Sequence, residues 1–304
     1  MPKPIVVVGS INADLVANTA RIPSAGETVL GHAFKIHHGG KGANQAVAAA
    51  RLGYPVRMIG RLGDDEFGAQ LRNGLESAGV DTAGVGTSSG SSGVASIVVA
   101  DSGENSIVVV PGANAEISTL DLDKDIEIIR SAGIVLAQLE IPIETILHLA
   151  EICQRENVPL MLDPAPAAEL PRELLKHIAW FTPNETEAAF FIGAGVHEAP
   201  AMARELMEKG IQGVVLKLGA RGAYIASTAG IGEFIQPFPM HAVDTTAAGD
   251  CFNGAFAVGL LMGNGPIQSA RFAAAASAIS VTRSGAQPSM PTMAEVQEMM
   301  KTRA

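Results

Sequence analysis

Beyond residue 133 the chain alternates short apolar, β-branched runs with helical ones, and this alternation restricts the fold more than any other feature. Strands are expected over 133–138, 160–162, 180–182 and 213–217, and helices over 143–154, 185–191 and 199–209. Strands separated by helices are joined by crossovers, which make neighbouring strands parallel and lay the helices on the sheet faces. Two long alanine-rich helical stretches, 247–262 and 266–281, follow. The expected fold class is therefore α/β, a doubly wound, mostly parallel sheet flanked by helices.

The first half adds a second element. Residues 4–10 read as a buried strand, 41–52 as an alanine-rich helix stopped by Gly53, 56–60 as a strand, and 66–78 as a helix ended by Gly79. Between them, 28–38 mixes polar and apolar residues as an exposed strand does. The runs 94–100 and 106–110 flank Asp101-Ser102-Gly103-Glu104, a hairpin signal. These excursions, about 12–38 and 92–110, are expected to pair into a small β-sheet lid on one domain spanning 1–304. A lid of this kind exposes strand edges, and a homodimer through it is the expected way to cover them.

The 304 residues are long for one core and short for two. A hydrophobic fraction of 47% against 17% charged supports a large packed interior. The net charge of −10 argues against nucleic acid as a partner, since phosphate-backbone binding needs a basic face. No apolar run reaches the ~18 residues of a membrane span, and the N-terminus carries no signal-peptide pattern. With Cys153 and Cys251 lacking metal-ligand spacing and read as reduced thiols, a cytoplasmic location is expected. His37-His38 has no further ligand at metal spacing and reads as a strand or loop end.

The strongest chemical signal is Asp244-Thr245-Thr246-Ala247-Ala248-Gly249-Asp250-Cys251-Phe252-Asn253-Gly254-Ala255. Small residues and a glycine stand where a loop enters a helix. Free N–H groups there make an anion site, and glycine lets a phosphate approach the backbone. Asp250, in the first turn beside that site, can take a proton from an attacking hydroxyl during phosphoryl transfer. Alone, the same residue would serve the helix dipole. Cys251 reads as small core packing. Asn184 and Glu187, three apart, suit either an Mg²⁺ held through water or a helix cap. Gly219 and Gly222 flank a turn that suits either a nucleotide or an ordinary hairpin. Asn12 and Asp14 offer an amide and a carboxylate for sugar hydroxyls, or serve a turn.

In this order and spacing, the 244–255 string resembles the second signature of the ribokinase family of carbohydrate kinases. Gly39-Gly40-Lys41-Gly42-Ala43-Asn44-Gln45 resembles the first. Gly9-Ser10-Ile11-Asn12-Ala13-Asp14, Thr182-Pro183-Asn184-Glu185-Thr186-Glu187, Leu218-Gly219-Ala220-Arg221-Gly222 and the 282–289 segment resemble its sugar, Asn-x-x-Glu, nucleotide and cation segments. The similarity runs from about residue 5 to 291. It implies ATP-dependent phosphorylation of D-ribose at O5, with Asp250 as base and the N–H groups of Ala247, Ala248, Gly249 and Asp250 as anion hole. It implies ribose contacts from Asn12, Asp14, Gly40, Asn44 and Glu140, with Asp250 on the acceptor hydroxyl. Asn184, Glu187, Gly219, Gly222 and Gly249 fall to ATP and Mg²⁺. A K⁺ site falls to Asp244, Thr246, Ser280, Arg283, Gly285 and Ser289, mostly through carbonyls. Lys41 is left outside the site, and Ala274 replaces a polar residue near the adenine. The rival readings are a kinase for another sugar or a nucleoside, a silent sugar-binding regulator on the same fold, and, remotely, a nicotinamide dehydrogenase, against which stands the lack of Gly-x-Gly-x-x-Gly after the first strand.

Overall fold

The computed structural model describes residues 2–193 and 198–301. Strands run in the order β1 (Ile5–Val8), β2 (Asn12–Thr19), β3 (Gly31–Gly39), β4 (Val56–Gly63), β5 (Val80–Ser88), β6 (Gly93–Ala100), β7 (Asn105–Val110), β8 (Ile134–Gln138), β9 (Leu160–Asp163), β10 (Ile178–Phe181), β11 (Gly213–Lys217), β12 (Ala223–Ser227) and β13 (Gly232–Ile235). The helices are α1 (Lys41–Arg51), α2 (Glu66–Ser77), α3 (Thr119–Lys124), α4 (Ile126–Ser131), α5 (Ile143–Arg155), α6 (Arg172–Leu175), α7 (Glu185–Ile192), α8 (Ala199–Glu208), α9 (Ala248–Leu261), α10 (Pro266–Ser280) and α11 (Met293–Lys301).

The large sheet has the order β13-β12-β11-β10-β9-β8-β1-β4-β5. It is parallel from β5 to β11, and β12 and β13 close it with antiparallel pairs. β1, Ile-Val-Val-Val, is buried along its whole length and feeds two cores at once. Ile5 and Val7 belong to the core that α1, α9 and α10 cover on one face, and Val6 and Val8 to the core that α5 and α8 cover on the other. The period-2 pleat produces that split, and a continuous β-branched run is the composition that a strand covered on both faces requires. Trp180 of β10 meets Phe256 of α9 edge to face with centroids 5.2 Å apart. The contact adds about 1 kcal/mol to its buried area and seats α9 against the sheet.

The small sheet has the order β3-β2-β6-β7. β2 pairs antiparallel with β3 and parallel with β6, and β6 pairs antiparallel with β7. The expected strand at 28–38 starts three residues later, at Gly31, where a register shift beside Asn18 ends the ladder. β5 and β13 were not expected from sequence. Val80–Ser88 carries Gly84 and Gly86 and pairs with β4 through a bulge, so its apolar period is broken. β13 is a four-residue edge strand with three exposed positions. Among the described residues no helix is long and apolar enough to cross a membrane.

Candidate active site

The parallel strands end on the side where the small sheet joins the body, and the carboxyl ends of β8, β9 and β11 place Gln138, Asp163 and Lys217 there. Ligands of open α/β sheets bind at this end. At this end α1 begins with the glycine-rich turn Gly39-Gly40 and α9 with Ala247-Ala248-Gly249. Gly40 caps α1 with φ 87°, and a Cβ there would lie 2.8 Å from the Asn12 N and the Ser10 carbonyl. Only glycine fits that backbone crossing.

Asp250 lies in the first turn of α9 and is buried. Asn44 donates to its Oδ2 at 3.1 Å, and Gln45 donates to its Oδ1 at 3.1 Å. The same Gln45 nitrogen lies 3.0 Å from Oδ2 of Asp163, while its carbonyl accepts from Gln138 at 2.8 Å. Lys217 completes the chain with an ion pair of 3.0 Å to Oδ1 of Asp163. Removing one partner from a buried pair of this kind costs about 3–5 kcal/mol. Burial lifts the Asp250 carboxyl to about 6, with the Lys41 ammonium opposing and Asp163 reinforcing the rise. A base near the working pH transfers protons more effectively than one near 4.

At the start of α9, Ala247 takes a left-handed conformation with φ 58°. The Ala248 N–H turns back onto the Thr245 carbonyl at 3.2 Å. Among the described residues, no backbone carbonyl accepts from the N–H of Gly249 or Asp250. Of the four donors expected in the anion hole, those of Ala247, Gly249 and Asp250 meet no backbone carbonyl among the described residues, and that of Ala248 is shared.

Asn12 and Asp14 are not turn residues. They lie two apart on β2, so both side chains share one face. Asn12 accepts from Asn114 at 2.7 Å, and Asn114 also clasps the Ile11 backbone. The Asp14 carboxyl is raised to about 7 by burial and by the neighbouring charges of Glu140 and Asp250. Glu140, just past β8, accepts from the Ser10 hydroxyl at 2.5 Å and the Lys41 N–H at 3.1 Å. The Asn44 Oδ1 is buried and has no hydrogen-bond partner among the described residues, an unmet acceptor of the kind that marks a polar site. Lys41, expected to stay outside the site, is half-buried within it. Burial works against its charge, yet Asp250, Asp163, Glu140 and Glu187 outweigh that and hold it firmly protonated.

Of the two readings for Asn184 and Glu187, the structure shows the helix cap. Asn184 is the N-cap of α7, and each residue's side chain bonds the other's backbone N–H at 2.8 Å. Burial raises the Glu187 carboxyl, with Lys217 opposing and Asp163 adding to the rise. Gly219 opens the single 3₁₀ turn between β11 and β12, and Gly222 (φ 86°) closes it against the Ile235 carbonyl. Ala274 is buried in α10. The Asp244 carboxylate accepts from Thr246 N at 2.9 Å and Gly285 N at 2.8 Å, tying the α9 entrance to the 280s segment. These bonds hold its carboxyl below the usual range, against the effect of burial. The side chains of Ser280 and Ser289 bond the carbonyls of Ser277 and Ala286, and Arg283 pairs with Glu295.

The residues that sequence reasoning left unassigned are Gln45, Asn114, Gln138, Asp163, Lys41 and Lys217. A polar residue ending an otherwise apolar strand was the available signal for Gln138, Asp163 and Lys217.

Residues 3–293 match the model of the pfkB family of carbohydrate kinases. The chain belongs to that family. It is a sugar kinase of the pfkB type, and the dehydrogenase reading is set aside. The pfkB relatives include the ribokinase of Haemophilus influenzae, 42% identical with 99% of both chains covered. The ribokinase of Bacillus subtilis is 43% identical, covering 97% of this chain and 99% of its own. Among solved pfkB-type structures, Arabidopsis thaliana ribokinase complexed with ribose and ATP superposes with a TM-score of 0.93 at 36% identity, covering 99% of each chain.

Proposed function

We propose that the chain transfers the γ-phosphoryl group of ATP to O5 of D-ribose, giving ribose 5-phosphate and ADP. The observation that carries this is the pairing of a buried carboxylate, Asp250, with two uncommitted N–H groups, those of Gly249 and Asp250, at the start of α9. The base and the anion hole stand on one turn of helix.

In this reading Asn12, Asp14, Gly40, Asn44 and Glu140 hold the sugar, with O5 beside Asp250. The bond from O5 to the γ-phosphorus forms as the bond to the ADP oxygen breaks, and Asp250 receives the O5 proton. The N–H groups of the 247–250 turn take up the charge that develops on the phosphoryl oxygens. Gly219 and Gly222 flank the nucleotide, and Ala274 lies near its base.

The carboxylates fit Mg²⁺ held through water. Glu187 keeps one oxygen beyond its cap bond, Asp163 lies close enough to raise its carboxyl, and Mg²⁺ commonly takes one or two carboxylates and retains waters. When bound, it neutralises phosphate charge. The K⁺ site is proposed around Asp244, Thr246, Ser280, Arg283, Gly285 and Ser289. Among the described residues, the carbonyls of Asp244, Thr246, Arg283, Gly285 and Ser289 accept no backbone N–H, as cation ligands should; that of Ser280 accepts from Arg283.

The lid face carries Leu30, Phe34, Ile36 and Ile107–Val110 exposed, with Leu30 89% exposed. An apolar patch with two open strand edges is a contact surface, so the chain is read as a homodimer through the lid. The buried thiols Cys153 and Cys251, both pushed up to about 12 by burial, suit a reducing cytoplasm.

A panel of D-ribose, 2-deoxyribose, fructose, nucleosides and sugar phosphates with Mg-ATP, read by ADP release, tests the reading. Ribose should give the highest kcat/KM. No ribose-dependent ADP release would overturn it.

A further inference from the structure

Lys217 is the last residue of β11, at the carboxyl end of the parallel sheet. Its backbone is pinned there, since its N–H donates to the Pro183 carbonyl at 2.9 Å and its strand bridges to Asn184. The side chain therefore extends from a rigid base. It runs toward α9, and its Nζ lies 3.3 Å from where a Cβ on Gly249 would stand. This puts an ammonium beside Gly249, one of the residues of the anion turn whose N–H is uncommitted. The ammonium has three donors. Among the described residues Asp163 is the one hydrogen-bond partner it has, at 3.0 Å, so two donors remain for a ligand. The side chain is 15% exposed, and Asp163 is 3% exposed. A charge so poorly hydrated acts strongly on a neighbouring anion.

We propose that Lys217 is a catalytic residue whose ammonium contacts the γ-phosphoryl group and carries positive charge to it during transfer. It rests on the kinase reading above. Lys217 gives up no proton and forms no covalent bond. The bond changes remain those of O5, the γ-phosphorus and the ADP oxygen, with the proton on Asp250. Asp163 aims the ammonium and, through Gln45, joins it to the base. The Lys217–Asp163–Gln45–Asp250 chain thus fixes the spacing between the charge that meets the phosphoryl group and the carboxylate that meets the sugar.

Lys217→Gln removes the charge and keeps a donor for Asp163. Titration calorimetry should show ATP binding weakened about tenfold, with ADP and ribose each within about twofold, and kcat reduced about 10- to 100-fold. A lysine that only neutralised Asp163 would not separate ATP from ADP. An ATP-to-ADP affinity ratio and a kcat both within about twofold of the parent would overturn the proposal. A second measurement needs no variant. Acylation of Lys217 in the parent protein, followed by mass spectrometry, should be slowed more by ATP than by ADP, and equal slowing by the two would overturn the contact. Failure of the parent to release ADP with ribose would instead sink the ribose assignment, while the ATP-to-ADP comparison would still report on Lys217.

Discussion

Asn44 donates its side-chain amide to Oδ2 of Asp250 at 3.1 Å, across 206 positions of sequence. The bond ties the start of α1 to the start of α9 and fixes the carboxylate from the side where the sugar is proposed to lie. It also leaves the Asn44 Oδ1 buried and free to accept.

Asp250→Asn should lower kcat by about 10² or more while ribose affinity changes little, because the carboxylate acts on a proton that moves only in the transition state. Rapid-quench or steady-state ADP release, paired with ribose titration, checks this. Near-normal turnover would remove Asp250 from the role of base.

The rate should climb with pH through about 6 and level above it, since Asp250 must be ionised to act. Lys41 opposes the rise caused by burial, so Lys41→Met should move this acid limb to higher pH. Stability runs the other way. The folded carboxyl, near 6, holds a proton that the unfolded one, near 3.8, has released. Between about pH 4 and 6 the Asp250 contribution therefore falls as pH rises. Urea melts of Asp250→Asn should show a gain over the parent that is larger at neutral pH than at about pH 4.5.

Glu187→Gln should raise the Mg²⁺ concentration needed for half-maximal rate. The capping bond to the Asn184 N–H survives in the amide, so helix α7 should keep its melting behaviour. An unchanged Mg²⁺ titration would leave Glu187 with the cap alone.

Activity should rise with K⁺ against a bulky organic cation at constant ionic strength, which removes ordinary screening as the cause. Asp244→Ala should blunt that response more than it weakens ribose binding, since Asp244 holds Thr246 and Gly285 rather than the sugar side. Coincident rates in the two cations would eliminate the K⁺ site.

The parallel sheet and the starts of α1 and α9 were legible because their signals are local. Ile5–Val8 spells a doubly buried strand in four letters, and Asp244–Ala255 spells a loop entering a helix. The network around Asp250 was not legible. Gln45 reaches Asp163 over 118 positions, Gln138 reaches Gln45 over 93, and Lys217 reaches Asp163 over 54. In sequence Gln138, Asp163 and Lys217 are each a single polar residue at the end of an apolar strand, and Gln45 is one of two adjacent amides with nothing local to show its partner. Lys41 was left outside the site for the same reason, since the carboxylates that act on it come from four other segments. For Asn184 and Glu187 the Mg²⁺ and cap readings both stayed open, because spacing alone cannot say whether the first residue lies inside the helix or caps it.

The small sheet is woven from two excursions of the chain, and β2 lies along β6 for eight residues, from Asn12 opposite Gly93 to Thr19 opposite Ala100. A Cβ on Gly93 would stand 2.2 Å from the Asn12 Oδ1 and 2.1 Å from the Asn114 Nδ2. Residues 12–39 and 93–114 are therefore one structural unit, although more than fifty residues of the body separate them. A gene crossover anywhere in that interval hands the two halves to different parents. Functional chimaeras between relatives should thus be recovered from double crossovers that keep the halves together, or from parents that share Asn12, Gly93 and Asn114.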